Sequence, residues 1–209
     1  HASLLRAAGY ATGYIGKWHM DSQSGPRPGF DFSASFIGQG RYEDCPFEVD
    51  GVKTDTKGWI DDVSTEFALD FIKRSRARPF LCVVGYKSCH GPWDPPERAK
   101  GLYAGEVSMP AASAGHRPPY LKPIPPERKE VNQFDIKPDS DRAEMHRKYF
   151  RTLAAVDENV GRLLKALDDL HLAESTVVVY ASDNGFYLGE HGLGDKRSAY
   201  EESIRIPLL

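Results

Sequence analysis

The sequence predicts an α/β fold, with a mainly parallel central sheet sandwiched between helices. Three observations predict it. Two runs, "FLCVVGY" and "TVVVYAS", are continuously apolar over strand length, the mark of strands buried on both faces. Two other segments repeat apolar residues every three or four positions, the mark of helices with one buried face. The two kinds alternate along the chain, which is how helices come to cover both sides of a parallel sheet.

The elements follow in order. "ASLLRAAGY" sets Leu4, Leu5 and Ala8 at helical spacing, with Gly9 as a stop signal. "ATGYIGKWH" reads as a short strand ending in a glycine turn. Residues 21–58 are rich in Gly, Pro, Ser and Asp and read mostly as loop. Within them "FEVDGVKT" predicts a hairpin, because Asp50-Gly51 suits a two-residue turn. Ile60, Val63, Phe67 and Phe71 define a helix of about four turns with one apolar face. Pro79 then introduces the strand "FLCVVGY", in which Cys82 is a small buried hydrophobe. Seven of the 15 prolines fall between Pro110 and Pro138, which predicts a long irregular excursion. Asp141 and Glu144 have capping-box spacing and open a second long helix. Its apolar series runs Met145, Tyr149, Leu153, Val156, Val160, Leu163, Leu167, Leu170. "TVVVYAS" is the last predicted strand.

Composition narrows the function classes. The net charge of −3 comes with no lysine or arginine block, so nothing marks a nucleic-acid partner. No apolar stretch reaches the roughly 20 residues that span a bilayer. Cys45, Cys82 and Cys89 form neither a metal-binding CxxC pair nor a disulfide framework. The chain opens at His1 with no signal-peptide pattern and closes on the apolar "IRIPLL", so it is expected to be an internal segment of a longer protein.

In parallel sheets, ligand groups gather beyond the carboxyl ends of the strands. Three predicted strand ends carry chemistry. After "ATGYIG" come Lys17 and His19, which share a side of an extended segment, a cation beside a titratable imidazole. After "FLCVVGY" comes His90, ahead of the rigid Gly91-Pro92 and Pro95-Pro96. After "TVVVYAS" come Asp183 and Asn184, two hard oxygen donors of the kind calcium or magnesium prefers, though calcium takes six to eight. Asp-Asn-Gly is also an ordinary turn sequence, and each of these signals is weak taken singly. Lys196 lies twelve residues past Asn184, beyond a glycine-rich turn that is expected to fold back over the strand end. Glu190, His191 and Asp195 are assigned supporting roles.

Their order and spacing carry more. "GYATGYIGKWH", "PFLCVVGYKSCHGPW" and "TVVVYASDNG" with "GEHGLGDK" and "YEESIRIPLL" resemble the formylglycine-dependent sulfatases of the alkaline-phosphatase-like superfamily. The wording is most similar to N-acetylglucosamine-6-sulfatase-like members. The resemblance implies that residues 1–209 are the central part of a single sulfatase catalytic domain. It implies hydrolysis of sulfate esters, on a carbohydrate, through a formylglycine made by a formylglycine-generating enzyme. It implies Asp183 and Asn184 as calcium ligands (magnesium is the lesser choice), Lys17 on the sulfate and nucleophile, and His19 on the formylglycine hydroxyl. His90 and Lys196 would contact the sulfate ester, one of them assisting the leaving oxygen. It implies an extracytoplasmic site: periplasmic, secreted or lysosomal. No Cys or Ser here has Pro at +2 and Arg at +4, the C/S-x-P-x-R pattern that is converted to formylglycine. The nucleophile is therefore expected outside these residues, and the chain alone is expected to be inactive. A phosphodiesterase or phosphonate monoester hydrolase of the same superfamily, and a catalytically dead glycan-binding domain, are the alternatives.

Overall fold

The computed structural model describes residues 1–20, 24–105 and 142–209. The proline-rich excursion and the Asp141 cap lie outside the described residues. The chain forms two compact units, His1–Gly101 with Tyr149–Thr176, and Leu102–Lys148 with Val177–Leu209.

The first unit is built on a five-stranded mixed sheet flanked by helices, as the periodicities require. Helix α1 (Ala2–Ala7) leads into strand β1 (Ala11–Lys17). Strand β2 (Phe32–Phe36) follows, then β3 (Phe47–Val49), β4 (Val52–Thr54), helix α2 (Ile60–Ser75) and strand β5 (Phe80–Gly85). The strand order is β4-β3-β2-β1-β5. Strand β1 lies parallel to both β2 and β5, with Ile15 opposite Ala34 and Val84. The β3–β4 hairpin is antiparallel and turns at Asp50 (φ 50°) and Gly51 (φ 84°), the paired positive φ of a type I′ turn.

One strand escapes the sequence reading. Strand β2 sits where residues 21–58 read mostly as loop. Its "FSASF" alternates apolar and small polar residues, and Ser33 and Ser35 are buried as fully as Ala34 and Phe36. Helix α2 covers the other parity. Ile15 and Ala11 of β1 pack against Ala68 and Phe71, and Ala34 and Phe36 of β2 join Ile60 and Trp59. Burial of Phe71 alone is worth about 2 kcal/mol. Helix α3 (Arg142–Asp169) is 28 residues long, and its Ala155 and Val156 complete that core.

"TVVVYAS" departs from its prediction. Residues 176–180 belong to no sheet strand among the described residues, and Val177 is 90% exposed. Among the described residues this run is paired through a bridge of Ala181 to Leu208, with Tyr180 and Leu209 exchanging two backbone hydrogen bonds of 3.0 Å. An apolar run encodes the demand for burial but not the neighbour that meets it. Strand β5 likewise ends the described sheet order and is half-buried throughout, where burial on both faces was predicted. The second unit is otherwise short pieces: β6 (Tyr187–Leu188) paired with β7 (Gly194–Asp195), and helix α4 (Glu201–Ile204).

Candidate active site

Three parallel strands end side by side in the first unit, and each delivers polar groups past its carboxyl end. Two glycines make the approach possible. A Cβ on Gly16 would lie 2.1 Å from the Gly85 carbonyl oxygen, and Gly16 has φ +91°, so only glycine fits where β1 and β5 close together. Tyr14 reinforces the turn by donating its hydroxyl hydrogen to the Lys17 carbonyl. Trp18 stands edge-on to Tyr14, with ring centres 4.7 Å apart.

Lys17 and His19 then meet one partner, Gln39, from the loop after β2. The Lys17 ammonium donates to Gln39 Oε1 at 2.8 Å, and Gln39 Nε2 lies 3.1 Å from His19 Nε2. The predicted sharing of a side is therefore observed, although His19 reaches it through a left-handed backbone (φ 46°) rather than an extended one.

The loop after β5 adds a lysine and His90. Lys87 is buried, its ammonium donates to the Gln39 carbonyl at 2.9 Å, and it lies 4.8 Å from the centre of the Tyr42 ring. Beneath it Asp61, from the first turn of α2, accepts the backbone N–H groups of Lys87 (2.8 Å) and Ser88 (3.1 Å). Burial pushes the Asp61 carboxyl up and the Lys87 ammonium down; the hydrogen bonds and their mutual attraction oppose it. His90 is fixed at both ends of its residue: Tyr42 donates its hydroxyl hydrogen to the His90 carbonyl at 2.6 Å, and the ring Nδ1 lies 2.7 Å from the Gly91 carbonyl. A carbonyl only accepts, so Nδ1 carries a proton. Sequence reasoning missed Gln39, Lys87 and Asp61. Gln39 lies three residues past the "FSASF" alternation, and Lys87 two residues past β5, so placing β2 would have pointed to the first.

Burial pushes the Cys82 and Cys89 thiols up to about 12, and raises that of Cys45 as well. None of the three is poised as a thiolate nucleophile.

The second unit holds Asp183, Asn184 and Lys196. The Asn184 amide nitrogen donates to the Gly185 carbonyl at 2.6 Å, which leaves Oδ1 as its outward donor atom. Asp183 is exposed. Gly185 donates its N–H to Ser203 at 2.8 Å, and a Cβ there would lie 2.1 Å from the Glu202 carbonyl oxygen. The Asp-Asn-Gly turn is thus clamped on "YEES". Asp183 and Asn184 fit a hard cation in kind, as carboxylate and amide oxygens, and supply part of the number it needs. Among the described residues no group of three or more His, Cys, Asp or Glu side chains could hold a metal. Lys196 is half-buried after β7, and its carbonyl accepts the Ser203 hydroxyl at 2.7 Å.

Glu190, His191 and Asp195 are occupied locally. Glu190 accepts the Leu188 N–H at 2.7 Å. The His191 ring stacks on Tyr200 at 4.1 Å, with Nε2 3.3 Å from Glu202. Asp195 accepts from Arg197 at 3.2 Å.

Comparison with known proteins gives one family. Residues 2–209 match the family model described as Sulfatase. An N-acetylglucosamine-6-O-sulfatase of Bacteroides thetaiotaomicron is 31% identical over 99% of this chain and 47% of its own length. An extracellular sulfatase SULF-1 homolog of Drosophila melanogaster is 25% identical over 100% of this chain and 20% of its own. A solved structure in complex with its substrate, D-glucosamine-2-N,6-O-disulfate, superposes with a TM-score of 0.84 at 28% identity. It is covered over 54% of its length, so the chain spans about half of this structure and of the Bacteroides relative, and a fifth of the Drosophila one.

Proposed function

The chain belongs to the sulfatase family, and on that premise we propose that the protein hydrolyses sulfate esters on a carbohydrate. The observation that supports the reading is that Lys17 and His19 meet on Gln39 past the end of β1 while His90 follows the adjacent parallel strand β5, the end of the sheet at which an ester oxyanion would find cationic and protonated donors. The likeness to an N-acetylglucosamine-6-O-sulfatase supports a sulfated sugar as the substrate class.

In this proposal the Lys17 ammonium neutralises a sulfate oxygen, and Lys196 contacts the ester in the same capacity. His90, held by Tyr42 and Gly91, keeps its Nδ1 proton on the Gly91 carbonyl. When protonated on Nε2 it passes that proton to the leaving alkoxide. His19 handles the proton of the nucleophile hydroxyl. A formylglycine made by a formylglycine-generating enzyme from a Cys or Ser outside these residues would supply the nucleophilic oxygen, and Asp183 and Asn184 would hold in part a calcium ion, rather than magnesium, that would polarise the sulfate group. Residues 1–209 are then the central part of one catalytic domain, and alone they turn over no sulfate ester. An extracytoplasmic location agrees with the extracellular relative; no described helix is long and apolar enough to cross a membrane. The comparisons favour neither a phosphodiesterase nor a catalytically dead domain.

The test is sulfate release from N-acetylglucosamine-6-O-sulfate by the full-length protein, read by ion chromatography beside an aryl phosphate diester. Sulfate release well above diester cleavage is expected. The reverse preference would overturn the reading.

A further inference from the structure

The cluster at the strand ends contains a residue that the proposed mechanism leaves without a role, Gln39. We infer that Gln39 is a positioning residue: its side-chain amide fixes the tautomer of His19 and the place of the Lys17 ammonium, and Lys87 holds Gln39 itself in register. The inference rests on the sulfate-ester reading for its ligand, though not for its geometry.

The argument is one of donors and acceptors. An ammonium has three donors and no acceptor, so the Gln39 atom 2.8 Å from Lys17 Nζ is the amide oxygen. The amide nitrogen then faces His19. An amide NH2 has no lone pair to offer, so His19 Nε2 must accept, and its proton sits on Nδ1. The neutral imidazole is thereby committed to one tautomer. Among the described residues no protein group takes the Nδ1 proton, so it is offered beside the Lys17 ammonium as a second donor to an anion. For His19 to take up a proton at Nε2, the Gln39 amide must first let go.

Gln39 is itself exposed and would wander without support. Its support is the buried Lys87, which donates to the Gln39 main-chain carbonyl and is seated over the Tyr42 ring. Asp61 fixes the Lys87 backbone from below. The chain of contacts runs from the buried start of α2 to the half-buried Lys17 and the exposed His19 that would meet the ligand. Outer partners of this kind carry about 10- to 100-fold in function where they have been measured around metal ligands.

The test is the histidine nitrogen spectrum of the full-length protein, with His19 assigned by the signal lost in His19→Gln. It is recorded about two pH units above the ordinary imidazole pKa of ~6.5, so that neutral rings dominate. Wild type should show His19 protonated on Nδ1. Gln39→Glu keeps an acceptor for Lys17 but has no donor for His19, and should move the proton to Nε2; Gln39→Ala should give a mixture. Sulfate-ester kcat/KM should fall about 10- to 100-fold in both. If Gln39 merely held Lys17, Gln39→Glu would retain activity and the wild-type tautomer. A wild-type His19 protonated on Nε2, or a tautomer unmoved by either substitution, would overturn the inference. Failure of the sulfatase reading looks different: no sulfate ester is turned over by wild type, while the tautomer and its response to Gln39 stand.

Discussion

His90 and Asp183 are the residues whose assigned roles separate most cleanly by experiment. His90 is gripped through its carbonyl and its Nδ1, an arrangement that aims Nε2 and wastes no freedom on the other nitrogen. If it protonates the leaving oxygen, His90→Ala should lower kcat/KM by about 10²- to 10⁴-fold on an alkyl sulfate and much less on a nitrophenyl sulfate, whose leaving group needs no proton. Equal losses on both would remove the role. Asp183→Ala should cost the full-length protein its calcium together with its activity; metal analysis showing unchanged calcium would remove Asp183 from the ligand set. The place of His90 was legible in the sequence because the end of β5 can be located from its apolar run; the apolar run before Asp183 forms no sheet strand among the described residues, so Asp183 rests on the resemblance. Gln39, Lys87 and Asp61 were not legible, because their parts are set by which loops the sheet order brings together, and no spacing along the chain encodes that.

Strand and helix contacts decide how firmly those residues are presented. Gly16 stands at the narrowest point between β1 and β5, and a methyl group there meets the Gly85 carbonyl head-on in a backbone conformation that L-residues avoid. Gly16→Ala should destabilise the first unit by about 3 kcal/mol or more, read as a fall in the denaturant midpoint. A variant as stable as wild type would show that β1 and β5 can part without cost. A milder effect belongs to Arg98, which follows the His90 loop and forks onto both Asp62 oxygens at 2.8 Å while its Nε donates to Glu158 at 2.7 Å. The same Asp62 accepts from the buried Asn159 of α3 at 2.7 Å, so the fork ties loop, α2 and α3 together. The side chains are partly exposed, and Arg98→Ala should cost about 1 kcal/mol in urea unfolding, shrinking in high salt. At this scale α2, α3, β1, β5 and the Asp50-Gly51 hairpin were readable from period and turn chemistry. Strand β2 was hidden because buried serines alternate with its core-facing Phe32, Ala34 and Phe36, in a glycine- and proline-rich setting. The run at 176–181 was misread because hydrophobicity alone does not supply a pairing partner.

The molecule as a whole is two compact units spanning about half the length of its first relatives. The second unit exposes Val177, Val179, Leu208 and Leu209 along one bridged pair of segments, an apolar edge open to other chains. The 209-residue polypeptide should therefore self-associate, and Val177→Lys with Val179→Lys should reduce its light scattering; equal scattering would place the sticky surface elsewhere. The central claim is that the ends of β1 and β5 form one anion site. Titration of inorganic sulfate into the full-length protein, followed through the His19 and His90 ring signals, tests it most directly. Both signals should move with a single Kd, and Lys17→Ala should weaken that Kd by roughly 10- to 100-fold, the weight of one charge-assisted hydrogen bond. Signals that stay still, or that move with separate Kd values indifferent to Lys17, would contradict it.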